Sequence, residues 1–407
     1  MNQGNEENLN GCRILTAIVA LGLSLAVIPG TVYGGWQWSL GLGAGTRYDT
    51  NVQIASDGHP DAVYSVNSQV GMTYQGSKMN LTGSYGLGFE LFQTYKNLNR
   101  ASQSLSIDGD LSRMMGPVFP DNSTLHFSEM MVDAPFLPNF QSAVAPNPSV
   151  TTGGVSTPRT NTFLNFFSIS ESSPITARTG IQFSYQNTYT TYDDPALVDS
   201  LTNVFAIGLS HDLSRVDTVN GNVSYSRFDP HGGGPSFTYM LTVGEKHIFS
   251  EVMTGSVNLG AGAAVLPSSN HPDFISMGNM SLTRSLSEKL QLSVMGGRNF
   301  STNNGGIANT VLITDSGTVS LSRQMSRFLS ANVALNAARN YSLGSATSAG
   351  FHTDIHSQNV NVGLNYQFAT WLNGHLSYNY TRQEEAGSTQ GDLIQNQYIF
   401  ALQGHWS

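Results

Sequence analysis

Charged residues are scarce in this chain of 407 amino acids. Asp, Glu, Lys and Arg make up 11% of the sequence, against about 25% in ordinary soluble domains. The net charge is −9, and the 18 Lys and Arg residues form no basic stripe that could neutralise phosphates, which disfavours nucleic acid as a partner. Ser, Thr, Asn, Gln and 42 Gly residues replace the missing charge. This composition suits a protein with one face to lipid and the other to a neutral, wet interior.

Cysteine is almost absent, since Cys12 is the only one. It falls within residues 1–34, which have the features of a secretory signal peptide: Arg13 precedes the apolar run 14–28, and small residues follow at 30–34. A mature chain without Cys12 could form no disulfide, thiolate metal site or c-type haem attachment. We therefore expect a signal peptide at 1–34 and one domain at 35–407.

Long hydrophobic runs are also missing. The run at 14–28 has 15 residues, whereas a membrane-spanning helix needs about 20. The chain has alternating apolar and polar residues instead, most clearly at 36–42, 79–91, 359–368 and 396–406. Alternation places the two kinds of side chain on opposite faces of a strand. A membrane role would therefore rest on strands.

A short turn signal recurs between these segments: an apolar residue, then Ser or Ala, then one or two polar residues. It occurs at 111–113, 213–215, 249–251, 286–288, 325–327 and 368–370, and in looser form at 76–78 and 172–174. From residue 214 onward its spacing is 36 to 43 residues, which indicates a repeated hairpin-and-loop unit. The longer loops are expected at 49–61, 93–99, 133–158, 190–199, 229–235, 266–272, 302–308, 341–353 and 383–393.

Eight turns and nine loops predict an all-β fold, a transmembrane antiparallel β-barrel of about 18 strands. The range 16–20 stays open because 122–132 and 160–171 alternate poorly. Short periplasmic turns and longer extracellular loops are typical of outer-membrane barrels, and an even strand count places both termini in the periplasm.

Aromatic and cationic residues recur on the apolar face beside the tight turns. The set is Trp36, Trp38, His211, His247, Arg284, Arg323, Tyr366 and Trp406. At a membrane interface Arg and His can extend to the head groups while aromatics form a girdle. We predict that these residues mark the periplasmic membrane interface. The alternative is the charged edge of an ordinary soluble sheet.

The polar strand face is the predicted lumen lining. Candidate lining residues are Asn80, Thr82, Glu90, Asp108, Asp110, Arg178, Gln182, Asn359, Asn361, Asn365 and His375. Eighteen strands cannot fill their interior with side chains, so the lumen should hold water. Such a lining favours uncharged, hydrogen-bonding solutes such as sugars, unless it merely tolerates water and selects nothing. Asp108 and Asp110 could form part of an acidic ring or pair with a neighbouring Arg.

The third long loop, 133–158, is the candidate constriction. Pro135, Phe136, Leu137, Pro138 and Phe140 make its start apolar and stiff. A structureless loop of this length is usually functional or disordered. We predict that it folds into the barrel and narrows the pore, the alternative being a cap over the outside.

Catalytic patterns are weak. His375 and Ser377 share a predicted lumen face, as do His126 and Ser128, but alternation alone produces polar residues at i and i+2. No metal-ligand spacing, phosphate loop or cofactor motif occurs. We expect no enzyme activity, no cofactor and no metal.

The segment 45–52, GTRYDTNV, resembles the Tyr-Asp-x-Asn-Val segment of outer-membrane β-barrel porins of the type 2 kind. Segments 61–66, 74–78 and 98–100 continue the resemblance in the same order, so it covers the first quarter of the chain. Proteins of that family are often associated with exopolysaccharide synthesis and export systems. The resemblance implies an outer-membrane barrel with a tie to surface polysaccharide, and it carries no functional residues over.

Together these patterns predict a passive porin-like channel for small polar, weakly charged solutes in the bacterial outer membrane. One alternative is a structural or export component of a surface polysaccharide system. A weaker one is the barrel sheath of an electron-transfer conduit with separate haem proteins. Expected partners are outer-membrane lipid, lipopolysaccharide and the barrel-assembly machinery, and for the export alternative also periplasmic polysaccharide-export proteins.

Overall fold

The fold consists of eighteen β-strands in a computed structural model that describes residues 35–53, 58–77, 79–112, 122–134, 160–195, 197–267, 271–301, 311–343, 354–385 and 392–406. The strands are β1 Trp36–Asp49, β2 Asp61–Gln75, β3 Asn80–Phe92, β4 Arg100–Asp110, β5 Thr124–Ala134, β6 Thr162–Thr176, β7 Thr179–Tyr192, β8 Ser200–Asp212, β9 Asp217–Pro230, β10 Ser236–Ser250, β11 Met253–Val265, β12 Asp273–Ser287, β13 Leu290–Ser301, β14 Val311–Gln324, β15 Leu329–Leu343, β16 Asp354–Ala369, β17 Leu372–Glu385 and β18 Leu393–Trp406. A 3₁₀ turn at Lys96–Leu98 is the one helical element in these ranges. None of the described residues belongs to a helix long and apolar enough to cross a membrane. The predicted signal peptide at 1–34 lies outside the described residues and stays a prediction.

Every strand pairs antiparallel with its neighbours in sequence, and β18 returns to pair with β1. The closing register runs from Leu40 opposite Trp406 to Asp49 opposite Gln397. The predicted antiparallel barrel of eighteen strands is therefore confirmed. Closure gives every strand a neighbour on both sides, so the backbone amides of the wall are paired within the sheet.

Short and long connections alternate along the chain and define two ends of the barrel, which we name the turn end and the loop end. The short turns comprise 76–79, 177–178, 213–216, 251–252, 288–289, 325–328 and 370–371, close to the predicted signals. The β4–β5 connection differs from the prediction, because it spans residues 111–123 rather than a tight turn.

The turn between β6 and β7 also differs from the prediction, since it lies at 177–178 and not at 172–174. Strand β6 continues through Pro174, which pairs with Gly180, and the register shifts between Pro174 and Thr176. Proline has no N–H to donate to a ladder, and a strand tolerates it at such an irregularity. The Ser-Ser-Pro signal therefore marks a bulge near the strand end.

The recurring serine of the turn signal has a specific role in the turns. The hydroxyl oxygen of Ser214 accepts hydrogen bonds from the N–H groups of Val216 (3.1 Å) and Asp217 (3.0 Å). Ser326 does the same for Phe328 (3.2 Å) and Leu329 (3.1 Å). Serine thus stabilises the chain reversal by bonding backbone donors two and three residues on, which explains its repetition.

The two faces of the wall differ sharply in character. Large apolar side chains on the outer face are exposed, for example Val243 (60%), Leu259 (65%) and Val223 (56%). Their sequence neighbours on the inner face are small or polar, such as Ser224, Thr242 and Asn258. An exposed apolar belt around a polar interior is the pattern of a barrel that stands in lipid.

All eight predicted girdle residues lie on the outer face near the turn end. His211, His247, Arg284, Arg323 and Tyr366 share the face of exposed apolar residues two or four positions away. The Trp371 and Trp406 rings stack 5.5 Å apart, and the rings of Trp36 and Tyr74 are 4.7 Å apart. The side chains therefore form a band, while its contact with a membrane interface stays a prediction.

Candidate functional site: the barrel lumen

The inner face carries ten of the eleven predicted lumen residues. These are Asn80, Thr82, Glu90, Asp108, Asp110, Gln182, Asn359, Asn361, Asn365 and His375. Arg178 is the exception, because the structure places it in the turn at 177–178. This corrects its predicted position on the wall, and the cause is the extension of β6 through Pro174 to Thr176.

Asparagine side chains connect neighbouring strands along the lumen wall of β15–β17. The Asn332 amide donates to Asn361 Oδ1 (2.9 Å), and the Asn361 amide in turn donates to Asn379. One position further toward the loop end on this face, Thr381 donates to Asn359 (2.8 Å). We name Asn332, Asn359, Asn361 and Asn379 the amide wall. It is uncharged and offers both donors and acceptors to a passing solute.

An acidic recess lies on the inner face of β3–β6, near the turn end. Its volume is about 280 Å³, and it is lined by Asn80, Thr82, Asp108, Gly109, Asp110, His126, Phe127, Ser128, Ser168 and Ser170. Asp110 accepts a hydrogen bond from the Ser112 N–H (2.9 Å). Among the described residues, Asp108 forms no ion pair and His126 forms no hydrogen bond with Ser128. The Ser, His and Asp side chains thus share a recess without being connected as a catalytic relay.

The loop end of β1–β3 carries a second charged group that faces the lumen. Arg47 Nη1 donates to Glu90 Oε1 at 3.0 Å, and Arg47 Nε lies 3.7 Å from Asp49 Oδ2. The predicted lumen residue Glu90 is therefore neutralised by an arginine two strands away. Arg47 Nε and Nη2 are buried without a hydrogen bond.

Asp49 is at the centre of a network that crosses the β1–β18 seam. Its side chain is fully buried and accepts hydrogen bonds from Gln395 Nε2 (3.0 Å to each oxygen), Gln397 Nε2 (3.0 Å) and the Asn51 N–H (2.9 Å). Sequence reasoning missed this group, because Gln395 and Gln397 are more than 340 positions away from Asp49. The register of the closing strand pair brings them together.

Two connections at the loop end pack against the inner wall beside this network. The Asp61 carboxylate accepts hydrogen bonds from the N–H groups of Thr94 and Tyr95, both at 3.0 Å, which holds the connection 93–99. Val52, Val63 and Phe92 form a buried cluster beneath it. The connection 93–99 and the residues just after β1 therefore pack against the wall of β1–β3 at the loop end.

The inner face becomes apolar where β5 and β6 reach the loop end. Met130, Val132 and Ala134 on β5 face inward beside Leu164 and Phe166 on β6. Val132 and Ala134 are buried. The predicted constriction residues Pro135, Phe136, Leu137, Pro138 and Phe140 follow directly in sequence but lie outside the described residues, so their role stays a prediction.

A closed, eighteen-strand antiparallel barrel with an apolar outer face and a polar lumen is the fold of outer-membrane porins. No protein-family model and no curated protein matches the sequence. The chain is similar in structure to three solved proteins of Pseudomonas aeruginosa, and each match covers 91% of this chain. They are OpdK with vanillate (TM-score 0.50, 10% identity, 99% of that chain), OccK5 or OpdH (0.50, 11%, 98%) and OpdO (0.51, 10%, 97%). At such identities the likeness concerns the fold.

Proposed function

We propose that this protein is a passive channel for small polar solutes in the bacterial outer membrane. The observation that carries the proposal is the two-faced wall, which is closed by the β1–β18 pairing and apolar outside. Because eighteen strands enclose more space than their side chains fill, the polar interior holds water and a path for solutes. No part of this function requires energy coupling.

The lining favours neutral, hydrogen-bonding solutes over strongly charged ones. The amide wall can replace the hydrogen bonds that a solute makes with water, and it carries no charge. No charged side chain stands on the described inner face of β14 or β15. The charged pair Arg47–Glu90 is internally compensated. Hydroxyl-rich solutes such as sugars suit this surface.

The two ends of the barrel support a proposed orientation in the membrane. We assign the turn end to the periplasm and the loop end to the cell exterior, so that both termini are periplasmic. The band of Trp, Arg and His at the turn end supports this assignment, because such side chains favour a membrane–water interface. Lipopolysaccharide would then surround the loop end, and the barrel-assembly machinery would insert the chain.

The segment 135–158 is proposed as the constriction. Support comes from its two anchors, where the inner face of β5 and β6 is apolar and the neighbouring Thr162 and Thr190 are almost fully buried. Exposure of an apolar lumen surface to water is unfavourable, so we expect the apolar start of the loop to pack against this surface.

The alternative of polysaccharide export gains no support from the comparisons, which find similarity of fold to porin-like barrels and no match to any family model. The resemblance of 45–52 to type 2 porins likewise stays a prediction. The electron-conduit alternative has no described residue that favours it.

Single-channel conductance of the refolded barrel in a planar bilayer tests the proposal. We expect stable nanosiemens-scale steps, and vesicle swelling that is faster in neutral sugars than in charged solutes of equal size. Heat-denatured protein in the same bilayer is the control. Silence of the correctly folded barrel would refute the channel function and favour a scaffolding role.

A further inference from the structure

Three metal-ligating side chains meet on the outer face of β9 and β10, beside the turn end. Asp217 is the first residue of β9, and Glu245 and His247 lie near the end of β10. The register places Asp217 directly opposite His247, and Val219 opposite Glu245. Because residues two apart on a strand share one face, the three side chains stand on the same side of the wall. We name Asp217, Glu245 and His247 the turn-end triad.

The ligand atoms of the turn-end triad are already close together. One carboxylate oxygen of Asp217, one of Glu245 and one ring nitrogen of His247 all lie within 4.8 Å of one another. Around a tetrahedral ion with bonds of about 2.0–2.1 Å, the ligand atoms are about 3.4 Å apart. Small rotations of the side chains would close this gap, because the strand pairing already holds the three residues in register.

Neighbouring groups hold two members of the triad in position. His247 Nδ1 lies 2.5 Å from Asp217 Oδ1, and Asp217 Oδ2 accepts a hydrogen bond from the Ser214 hydroxyl at 2.6 Å. The His247 ring also meets the Phe249 ring edge to face, with centroids 4.5 Å apart. A ligand that is oriented before an ion arrives loses less freedom when it binds, so these contacts favour a preformed site.

A second set of the same residue types differs from the turn-end triad in its cationic partners. Asp354, His356 and Glu384 share the outer face of β16 and β17 at the loop end, with His356 directly opposite Glu384. There Arg339 pairs with Asp354 at 2.8 Å, and Arg382 lies 3.5 Å from Glu384. Arginines therefore balance both carboxylates of this second set.

The carboxylates of the turn-end triad have no such arginine. Within the described strands and turns, no Arg or Lys forms an ion pair with Asp217 or Glu245, and Lys246 stands on the opposite, inner face. A protonated His247 would balance only one of the two carboxylates. Two like charges this close together at the edge of the lipid repel each other, and one divalent cation would balance both.

The donor set indicates which class of ion fits. An imidazole nitrogen with two carboxylate oxygens suits Zn²⁺ and related first-row divalent ions, whereas Ca²⁺ and Mg²⁺ prefer oxygen ligands throughout. Three protein ligands leave the fourth position of a tetrahedral ion open to water. Glu245 is exposed and Asp217 begins its strand directly after the turn 213–216, so water and ions can reach the triad from the end of the barrel.

We propose that the turn-end triad binds one divalent ion of the Zn²⁺ class and that this ion links β9 to β10. The sequence alone did not indicate this site, because Asp217 lies 30 positions before His247 and meets it only through the register of the two strands. The proposal concerns the outer wall and does not depend on passage of any solute.

Calorimetric titration of the folded chain in detergent with Zn²⁺ tests the site. The protein is prepared without a histidine tag, treated with EDTA and carries Cys12→Ser, so that neither a tag nor a thiol competes for the ion. We expect one Zn²⁺ per chain, and no displacement of it by an equal concentration of Ca²⁺ or Mg²⁺. Absence of stoichiometric Zn²⁺ binding, or equally tight binding of Ca²⁺, would overturn the proposal.

Single substitutions assign the binding to the triad. Glu245→Gln and His247→Ala should each weaken Zn²⁺ binding about tenfold or more, because each removes a direct ligand. His356→Ala in the second set and Glu288→Gln in the turn 288–289 are the matched controls and should leave the affinity unchanged. Heat-modifiability on gels verifies that every variant is folded. An affinity that the triad variants leave unchanged, or that the controls lower equally, would refute the proposal.

Discussion

Replacing Asp49 with alanine should weaken the barrel at the seam where β18 closes on β1. The substitution removes the acceptor for Gln395, Gln397 and the Asn51 N–H. Gln395 is 9% exposed and Asn51 2% exposed, so water cannot fully replace the lost acceptor. A buried donor left without a partner costs about 1–3 kcal/mol. The Gln395 amide keeps its bond to the Asn51 carbonyl oxygen (3.2 Å) but loses the acceptor for its other N–H, and the Asn51 N–H loses the Asp49 oxygen, so we expect a loss of about 2 kcal/mol.

Equilibrium urea unfolding in phospholipid vesicles measures this loss. The four tryptophans, Trp36, Trp38, Trp371 and Trp406, all lie near the turn end, in β1, in β18 and in the turn before β17, and therefore report on the strands around the seam. The midpoint should fall while the slope with urea stays constant, because the surface exposed on unfolding is unchanged.

Two further variants make the Asp49 prediction specific. Asp108→Ala removes an inner-face carboxylate that has no ion pair among the described residues, and it should cost less than about 0.5 kcal/mol. Asp49→Asn keeps one acceptor oxygen but points an amide at neighbouring donors, so it should give an intermediate loss. The reasoning fails if Asp49→Ala stays within about 0.5 kcal/mol of the natural chain, or if Asp108→Ala is equally damaging.

Three other predictions concern the lumen. Deletion of 136–156 should raise single-channel conductance in planar bilayers, and an unchanged conductance would show that this loop does not narrow the pore. Asn361→Asp places a charge on the amide wall; an ion that passes about 7 Å from it in water gains (cation) or loses (anion) about 0.6 kcal/mol, so the cation-to-anion permeability ratio from reversal potentials should rise by up to about sevenfold at low salt. Glu90→Gln removes the nearer of the two carboxylates beside Arg47 and should shift that ratio toward anions by a similar factor, whereas a shift toward cations would contradict the pairing of Arg47 with Glu90.

The strands and their faces could be predicted because each depends on local alternation. The segments 79–91 and 359–368 have one apolar and one polar face, and the structure uses those faces as predicted. The turns after β8, β10, β12 and β14 were equally accessible, since serine bonds its own turn within three residues. A feature that depends on a few neighbouring residues can be predicted without knowledge of distant contacts.

The strands β5 and β6 alternate poorly for a physical reason. Near the loop end the inner face of β5 carries Met130 and Val132, while its outer face carries Glu129 and Asp133. The usual assignment of apolar side chains to the outside is inverted there. Alternation therefore does not predict the lipid-facing side where the inner face is apolar beside the loop 135–158 and the outer face is polar.

The seam and the mouth could not be predicted because they depend on register between distant strands. Nothing local to Asp49 indicates Gln395 as its partner, and the pairing of Leu40 with Trp406 had to be known first. Asp61 likewise looks like a solubilising loop residue until its bonds to Thr94 and Tyr95 are seen. A shift of one residue in either register would move these side chains to the other face.

The distribution of charge inside the barrel argues for weak rather than strong ion selectivity. One group of inner-face acids lies on β1–β4, where Glu90 is paired with Arg47 and Asp49 is enclosed by amides. Within that group the recess around Asp108 and Asp110 is an acidic surface toward the lumen, and it lies on one side of the wall. The amide wall faces the lumen from the other strands without charge. A one-sided field is screened within about 10 Å at ordinary salt, so for the proposed channel we expect no barrier to a neutral solute from this field and only a modest preference for cations.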